Sequence, residues 1–336
     1  MRTAAQTGYD QCSKQLRGGN NRKNKAATQP KVRKHGFVYE MKQNGFLYLL
    51  TVPGILFFII FCYVPMGGLV IAFQNYSMRY GIFGSSFNGL DNFKFLFQTG
   101  DIWRVTGNTL YLNALFILFT TAMSVLLAIL FSEVKNQKFK RITQSLSILP
   151  NFVSWTVIAL FLDAFIEPST GMIAKAAQRM GHTLDFYSNA SVWPALLVFL
   201  KVWQAAGYGA IVYIATIVGI DPQIYEAADI DGATRLQKIF RITLPILKPT
   251  IVLMSLFNIG RIFYGDFGMI YALVGDNGLL FSTTDVIDTY VYRMMRMLRN
   301  YGMSAATGMY QSVLGFVFIV VVNWIARRLE PDSALF

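Results

Sequence analysis

The sequence predicts an all-α protein that crosses a membrane with six helices and keeps both termini in the cytoplasm. The 336-residue chain is 54% hydrophobic and only 14% charged, with a mean hydropathy of +0.42, whereas a soluble domain is about 25% charged. Long apolar segments follow one another along the chain, and Lys and Arg residues concentrate in alternate connections between them. These observations exclude a soluble globular domain and a disulfide-rich scaffold.

Each apolar segment is long enough to span the hydrocarbon core, which requires about 20 helical residues. The segments lie at 46–73, 109–131, 142–165, 191–218, 249–275 and 305–326. Residues 46–330 therefore form one membrane domain. Residues 1–45 are polar and basic and contain no apolar run, so we expect a disordered cytoplasmic tail.

The distribution of positive charge predicts the orientation. Twenty of the 30 Lys and Arg residues lie in the tail, in two of the connections and at the C-terminal end, and eight lie in the other connections. Cytoplasmic connections are enriched in Lys and Arg, so the first group faces the cytoplasm. The net charge of +12 is then a signal of topology. The alternative is a tail that binds nucleic acid, and it predicts that deleting residues 1–40 abolishes function.

The cytoplasmic connection 221–249 is long for a helical bundle and predicts local structure. Asp221, followed by proline, is a good start for a short helix, and Gly232 ends it. A second helix over 234–243 is expected to run to Pro245, where the chain turns back into the membrane. The alternative interpretation is an amphipathic helix that only anchors the loop to lipid.

This loop matches the pattern E-A-A-x3-G-x9-I-x-L-P without a gap. The matching residues are Glu226, Ala227, Ala228, Gly232, Ile242, Leu244 and Pro245. The pattern resembles the EAA loop of ABC-importer permeases, in the binding-protein-dependent transport system inner-membrane component family. Segments 50–77 and 285–293 are similar to the oligosaccharide-type permeases that serve plant- and algal-polysaccharide fragments. The likeness covers about residues 46–330.

The resemblance implies a type I ABC importer permease fold in a prokaryotic cytoplasmic membrane. It implies that the EAA loop couples the chain to separate ATP-binding cassette subunits, which bind ATP and Mg, and that this chain holds no cofactor and is not an enzyme. It further implies a second, homologous permease chain (a heterodimer more than a homodimer), an extracytoplasmic sugar-binding protein, and an oligosaccharide substrate translocated by alternating access. Membrane lipid is the remaining partner, and no nucleic acid is expected.

The residues themselves agree with a non-catalytic chain. The sequence contains no G-x4-G-K-[ST] phosphate-binding loop. Its two histidines, His35 and His182, are far apart and are predicted on opposite sides of the membrane, so no metal site is predicted.

Charged residues inside predicted spans are costly and are by default functional hypotheses. There are four: Asp163, Lys201, Arg261 and Asp266. We expect Asp163 to lie near water, and Lys201 to pair with Asp266. Structural ion pairs are the alternative to contact with a ligand.

A sugar pathway requires hydrogen-bonding side chains and aromatic rings. The candidates are Asn258, Arg261, Tyr264, Asp266, Lys201, Trp203, Gln204 and Tyr208. Three of them, Asn258, Arg261 and Tyr264, are spaced to share one helix face, and an arginine suits an acidic sugar such as a uronate-containing fragment. Gly207 and Gly209 are expected to loosen or kink the fourth helix. Ordinary bundle packing is the alternative role for the aromatic residues.

Two further hypotheses stay open from the sequence. An ion-gradient-driven secondary transporter would use Asp266 or Asp163 as its coupling carboxylate. The outer segment 283–300 is predicted to form an amphipathic helix after Thr284, which either meets the delivery protein or lies in the membrane interface. Its apolar side would comprise Val286, Tyr290, Met294 and Met297.

Overall fold

The structure is a computed structural model that describes residues 43–181 and 185–329. Most of the predicted tail, 1–45, lies outside the described residues, as do His35 and His182. The chain divides into two compact units, Met1–Pro65 and Met66–Phe336. In the first unit, helix α1 (Gly45–Phe58) continues as a π-helical turn, Ile59–Tyr63.

The remaining elements are mostly helical. In chain order they are α2 (Val64–Met66), a 3-10 helix (Gly67–Phe73), β1 (Gln74–Asn75), α3 (Gly81–Gly84), β2 (Ser86–Phe87), α4 (Asp91–Gln98), α5 (Asp101–Glu133), α6 (Gln137–Ile148), a 3-10 helix (Leu149–Phe152), α7 (Trp155–Ile166), α8 (Met172–Arg179), α9 (Trp193–Val218), α10 (Pro222–Ile230), α11 (Arg235–Lys238), a π-helical turn (Ile239–Thr243), α12 (Leu244–Ile259), α13 (Phe267–Val274), a 3-10 helix (Gly278–Leu280), α14 (Phe281–Thr284), α15 (Ile287–Arg296) and α16 (Tyr301–Leu329). The two short strands pair antiparallel.

The predicted all-α membrane fold is confirmed. Within the described residues, five helical runs are long and apolar enough to cross a membrane, and a sixth is present if one bent pair is counted as a single span. The five runs are Gly45–Phe73, Asp101–Glu133, Trp193–Val218, Arg235–Ile259 and Tyr301–Ile325.

The third predicted span is not one straight helix. Gln137–Phe152 and Trp155–Ile166 meet at an angle of 95°. The break follows from the local sequence, because Pro150 lies in the 3-10 turn and the Ser154 hydroxyl caps α7 by accepting a hydrogen bond from the Val157 amide.

The fifth predicted span, 249–275, is also broken. Helix α12 ends at Ile259, and residues 260–266 turn before α13 begins at Phe267. At its other end, the helix continues from the cytoplasmic loop as one run, Arg235–Ile259, so the predicted turn at Pro245 is wrong. Pro245 lies within this run, just after the π-helical turn Ile239–Thr243. Such turns occur as single irregular turns inside α-helices and do not end them.

Helices α5 and α9 pack closely at small residues. The Ser124 hydroxyl donates to the Ala206 carbonyl over 3.0 Å. A Cβ on Gly209 would lie 2.5 Å from Ser124 Oγ, and one on Gly207 would lie 1.8 Å from the Ser147 carbonyl oxygen of α6. Helix α9 is unbroken, and the two glycines permit close approach between helices. The expected loosening or kink stays a prediction.

The outer helix α15 lies in the core. It begins at Ile287, later than predicted, because Thr284 ends α14. Ile287, Tyr290 and Met294 are buried together with residues of α4, α5 and α16, whereas Met297 is exposed. The apolar side of α15 therefore packs inside the protein, which does not fit the interfacial alternative; contact with the delivery protein stays a prediction.

Candidate functional site

A polar cavity of about 510 Å³ opens beside the break between α12 and α13. Residues of α5, α9, α12 and the break itself form its wall. Those that bear polar or aromatic groups are Asn113, Phe116, Thr120, Thr121, Lys201, Asn258, Arg261, Tyr264, Asp266 and Phe267.

Lys201 and Asp266 neutralise each other at one side of this cavity. Lys201 Nζ lies 2.7 Å from Asp266 Oδ2, and both side chains are about three-quarters buried. Asp266 Oδ1 also accepts the Met269 amide and so caps α13. Lys201 Nζ lies 5.7 Å from the centre of the Trp155 ring. The pairing expected from the sequence is present.

Arg261 is the remaining charge of the cavity. Its side chain is exposed, and its guanidinium has neither a hydrogen bond nor an ion pair within residues 43–181 and 185–329. The ionisable residues that line the cavity are Lys201, Arg261 and Asp266. Because two of them pair, the cavity has a net positive charge located on Arg261.

The break brings the predicted pathway residues together in a way that the sequence did not suggest. Asn258, Arg261 and Tyr264 do not share a helix face, because α12 ends at Ile259, yet all three line the cavity. The other predicted candidates, Trp203, Gln204 and Tyr208, lie elsewhere on α9 and do not line it. Trp203 faces a separate, mostly apolar groove between α5, α6 and α9.

The fourth predicted charge lies apart from the cavity. Asp163, near the end of α7, accepts a hydrogen bond from the hydroxyl of Tyr187 in the following connection. Burial, followed by this contact with Asp163, raises the pKa of Tyr187 above its ordinary value.

The cytoplasmic loop forms two helices with a glycine corner, as predicted. The Asp221 carboxylate caps α10 through the Gln223 amide. Gly232 has a φ of +75°, a left-handed conformation that only glycine adopts at little cost. Lys238 Nζ lies 2.6 Å from Asp229 Oδ1 and ties α11 to α10 across this corner.

This loop exposes apolar side chains beside its charged ones. Glu226 and Ala227 are exposed, and Ala228 is half-buried. Ile230 is 87% exposed, and Leu236 and Phe240 are also exposed. The other residues of the motif, Ile242, Leu244 and Pro245, lie in the helical run that leads into the membrane.

Sequence reasoning missed several polar residues around the cavity and the outer helix. Asn113 donates hydrogen bonds to the carbonyls of the break. Asp285, whose side chain is fully buried, forms an ion pair with Arg293, with the shorter N–O distance 2.5 Å. The signal for this pair was the 285–293 segment, where the two residues are eight positions apart; no sequence signal links Asn113 to the break.

Comparison with known proteins identifies the family. Residues 121–331 match the family described as "Binding-protein-dependent transport system inner membrane component". The chain belongs to this family. As an inner membrane component of a binding-protein-dependent transport system, it is a multi-pass protein of the cell membrane and a transport permease.

Two relatives from Bacillus subtilis (strain 168) are similar over most of their length. Protein LplB is 36% identical over 294 residues, which is 87% of this chain and 92% of the relative. The polygalacturonan/rhamnogalacturonan transport system permease protein YteP is 33% identical over 304 residues, 90% of this chain and 94% of the relative.

A solved structure of similar fold is a chain of a bacterial ABC transporter involved in the import of the acidic polysaccharide alginate. The TM-score is 0.78 at 33% identity, and the match covers 87% of this inner membrane component and 99% of that chain. The same transporter in complex with an alginate pentasaccharide-bound periplasmic protein matches equally well, with a TM-score of 0.78. The resemblance to ABC-importer permeases is therefore confirmed, and the chain is the permease subunit of such an importer.

Proposed function

We propose that this permease imports oligosaccharides that bear carboxylate groups. An extracytoplasmic sugar-binding protein delivers the sugar to the outer side of a prokaryotic cytoplasmic membrane. Separate ATP-binding cassette subunits bind ATP and Mg and supply the energy, and a second, homologous permease chain completes the membrane part. The sugar crosses by alternating access through the cavity beside the break between α12 and α13.

The unpaired guanidinium of Arg261 is the observation on which the acidic substrate rests. A guanidinium binds a carboxylate through two parallel hydrogen bonds, and such charge-assisted bonds are stronger than neutral ones. The second cation of the cavity, Lys201, already has Asp266 as its partner. Similarity to the importer of alginate, described as an acidic polysaccharide, gives independent support.

The rest of the cavity suits the neutral parts of a sugar. Tyr264 and Phe267 offer rings for the apolar faces of the pyranose. Asn258 offers an amide group that can form hydrogen bonds with sugar hydroxyls.

The EAA loop suits a role as the coupling element. Its exposed apolar side chains and small residues fit a groove on a partner subunit, because small residues allow close helix packing. The ion pair between Asp229 and Lys238 makes α10 and α11 move together. The helical run Arg235–Ile259 then continues without a break to the edge of the cavity, so a displacement of the loop reaches Asn258 and Arg261.

The secondary-transporter alternative is less favoured by the same contacts. A coupling carboxylate has to gain and lose a proton during the cycle, whereas Asp266 is held by Lys201 and by the Met269 amide. Asp163 is held by Tyr187 and does not line the cavity.

The acidic substrate is tested with the complex purified from its native membrane through a tag on this chain. Binding of alginate pentasaccharide and of its carboxyl-reduced, neutral form is measured with Arg261→Gln and with the control Arg296→Gln, an exposed arginine that does not line the cavity. We expect Arg261→Gln to weaken binding of the acidic form about tenfold, as loss of a charged hydrogen bond does, and to leave the neutral form unchanged. Equal affinities of the variant and the wild type for the acidic form would refute the proposal.

A further inference from the structure

The break between α12 and α13 is held by side chains from three other helices. Asn113 of α5 donates from Nδ2 to the carbonyl oxygens of Ile262 and Tyr264, over 2.8 and 3.1 Å. These carbonyls belong to a segment that makes few helical hydrogen bonds of its own. An unsatisfied backbone group within a membrane is costly, so each such partner stabilises the broken conformation.

Gln311 of α16 and Asp288 of α15 complete the support. Gln311 Nε2 donates to the Phe263 carbonyl over 2.8 Å and to Asp288 Oδ2 over 3.0 Å. The same oxygen of Asp288 accepts the amide of Gly265 over 2.6 Å. Two side chains that bond each other therefore hold both a carbonyl and an amide of the break.

The break and the start of α15 approach so closely at Gly265 that an added Cβ would force the side chains of Val286 and Asp288 to shift. A Cβ on Gly265 would lie 2.8 Å from Val286 Cγ2 and 2.9 Å from Asp288 Oδ2. Gln311 is only 6% exposed. Neither Gln311 nor Asp288 lines the cavity, so their polar groups act on the backbone of the break and not on its contents.

We propose that Asp288 and Gln311 are positioning residues for substrate selection, which act by fixing the backbone that carries Arg261. Arg261 and Asp266 flank residues 262–265. The hydrogen bonds that Asp288 and Gln311 make to the backbone of these residues form a clamp. When the clamp is intact, the guanidinium faces the cavity and the Asp266 carboxylate meets Lys201. This inference rests on the proposed recognition of an acidic sugar by Arg261.

The test uses the same purified complex and the same two ligands. Gln311→Met keeps the length of the side chain and removes both hydrogen bonds. The neighbouring Ser312→Ala is the matched control, because the exposed Ser312 bonds only to the Gly308 carbonyl of its own helix. We expect Gln311→Met to lower the preference for acidic over neutral pentasaccharide at least fivefold and Ser312→Ala to leave it unchanged.

A double variant separates positioning from general damage. If Gln311 acts through Arg261, then Arg261→Gln with Gln311→Met has no lower preference than Arg261→Gln alone, because the effects of two groups that act through one shared interaction do not add. Asp288→Asn keeps an oxygen that accepts from Gly265 and Gln311 and should retain the preference, whereas Asp288→Ala should lose it. If Gln311→Met does not insert into the membrane, Gln311→Asn, one methylene shorter, takes its place with the same expectation.

The outcomes distinguish the two proposals. If Arg261→Gln leaves the preference unchanged, the proposed function fails. If Arg261→Gln lowers the preference and the clamp variants do not, or if their losses add independently in the double variant, the positioning role fails while the proposed function stands.

Discussion

Lys201 Nζ and Asp266 Oδ2 lie 2.7 Å apart across the cavity between α9 and the start of α13. Their partnership explains why a cavity lined by two cations and one anion presents a single free charge, that of Arg261. It also joins two helices at a point where both side chains are largely removed from water. Such a pair contributes to specific geometry, and removing one partner leaves the other charge uncompensated.

Replacing Lys201 and replacing Asp266 should have opposite effects on the affinity for an acidic sugar, although each change breaks the same ion pair. Lys201→Met leaves the Asp266 carboxylate free to oppose a bound carboxylate and to attract Arg261, so affinity for alginate pentasaccharide should fall. Asp266→Asn frees the Lys201 ammonium, so affinity should rise. Titration of each purified complex with alginate pentasaccharide measures the two affinities. If both variants changed the affinity in the same direction, the electrostatic argument would be contradicted.

Gly232→Val should uncouple ATP hydrolysis from transport. Valine is strained at the left-handed φ of +75°, although a Cβ there would meet no atom within 4 Å, so the effect comes from the backbone of the corner. The measurement is ATP hydrolysis and sugar uptake by the reconstituted complex. Gly89→Val is the control, because Gly89 has a φ of +64° in a turn predicted on the outer side; uptake should survive that change. Normal uptake by Gly232→Val would refute the coupling role.

Gly207→Ala should destabilise the helix packing by roughly 1 to 3 kcal/mol, the usual cost of overpacking. The added methyl would lie 1.8 Å from the Ser147 carbonyl oxygen, which belongs to backbone and cannot move freely. Gly308→Ala is the control within a helix, since nothing lies within 4 Å of its Cβ position. Thermal unfolding in detergent should show a lower midpoint for Gly207→Ala and an equal or higher midpoint for Gly308→Ala. An unchanged midpoint for Gly207→Ala would contradict the close packing.

Glu167, in the outer connection after α7, should titrate far below an ordinary glutamate. Hydrogen bonds from the hydroxyls of Thr170 and Ser169 and from their backbone amides lower its pKa from 4.5 to about 2. The ionised form is therefore favoured in the folded loop, and its contribution is present above pH 4.5 and lost as the pH falls through about 2. The carboxyl carbon chemical shift should report a midpoint near 2. Replacing both hydroxyls, with Ser169→Ala and Thr170→Val, should raise this midpoint; an ordinary midpoint in the wild type would contradict the loop geometry.

The sequence was sufficient to predict the all-α membrane fold and the conformation of the EAA loop. Both depend on local information: hydropathy over a helix length, and a motif whose cap residue Asp221 and corner Gly232 act within a few positions of themselves. The corner and α10 therefore formed where the sequence placed them.

The break in the fifth predicted span was not predictable in the same way. Hydropathy averaged over a helix length combines residues 260–266, which include Arg261 and Asp266, with the apolar residues on both sides, so it does not locate the break. The groups that make the break possible, Asn113 and Gln311, lie far away in sequence. For the same reason, helical spacing placed Asn258, Arg261 and Tyr264 on one face, whereas the broken backbone brings them into one cavity.

Uptake by proteoliposomes that contain the purified complex distinguishes ATP-driven import from transport driven by an ion gradient. Alginate pentasaccharide is offered with its binding protein, with or without ATP at the nucleotide-binding side, and with ionophores that abolish all ion gradients. We expect uptake that requires ATP and the partner ATPase subunits and that persists when the gradients are abolished. Uptake that proceeds without ATP and stops when the ionophores are added would contradict this expectation.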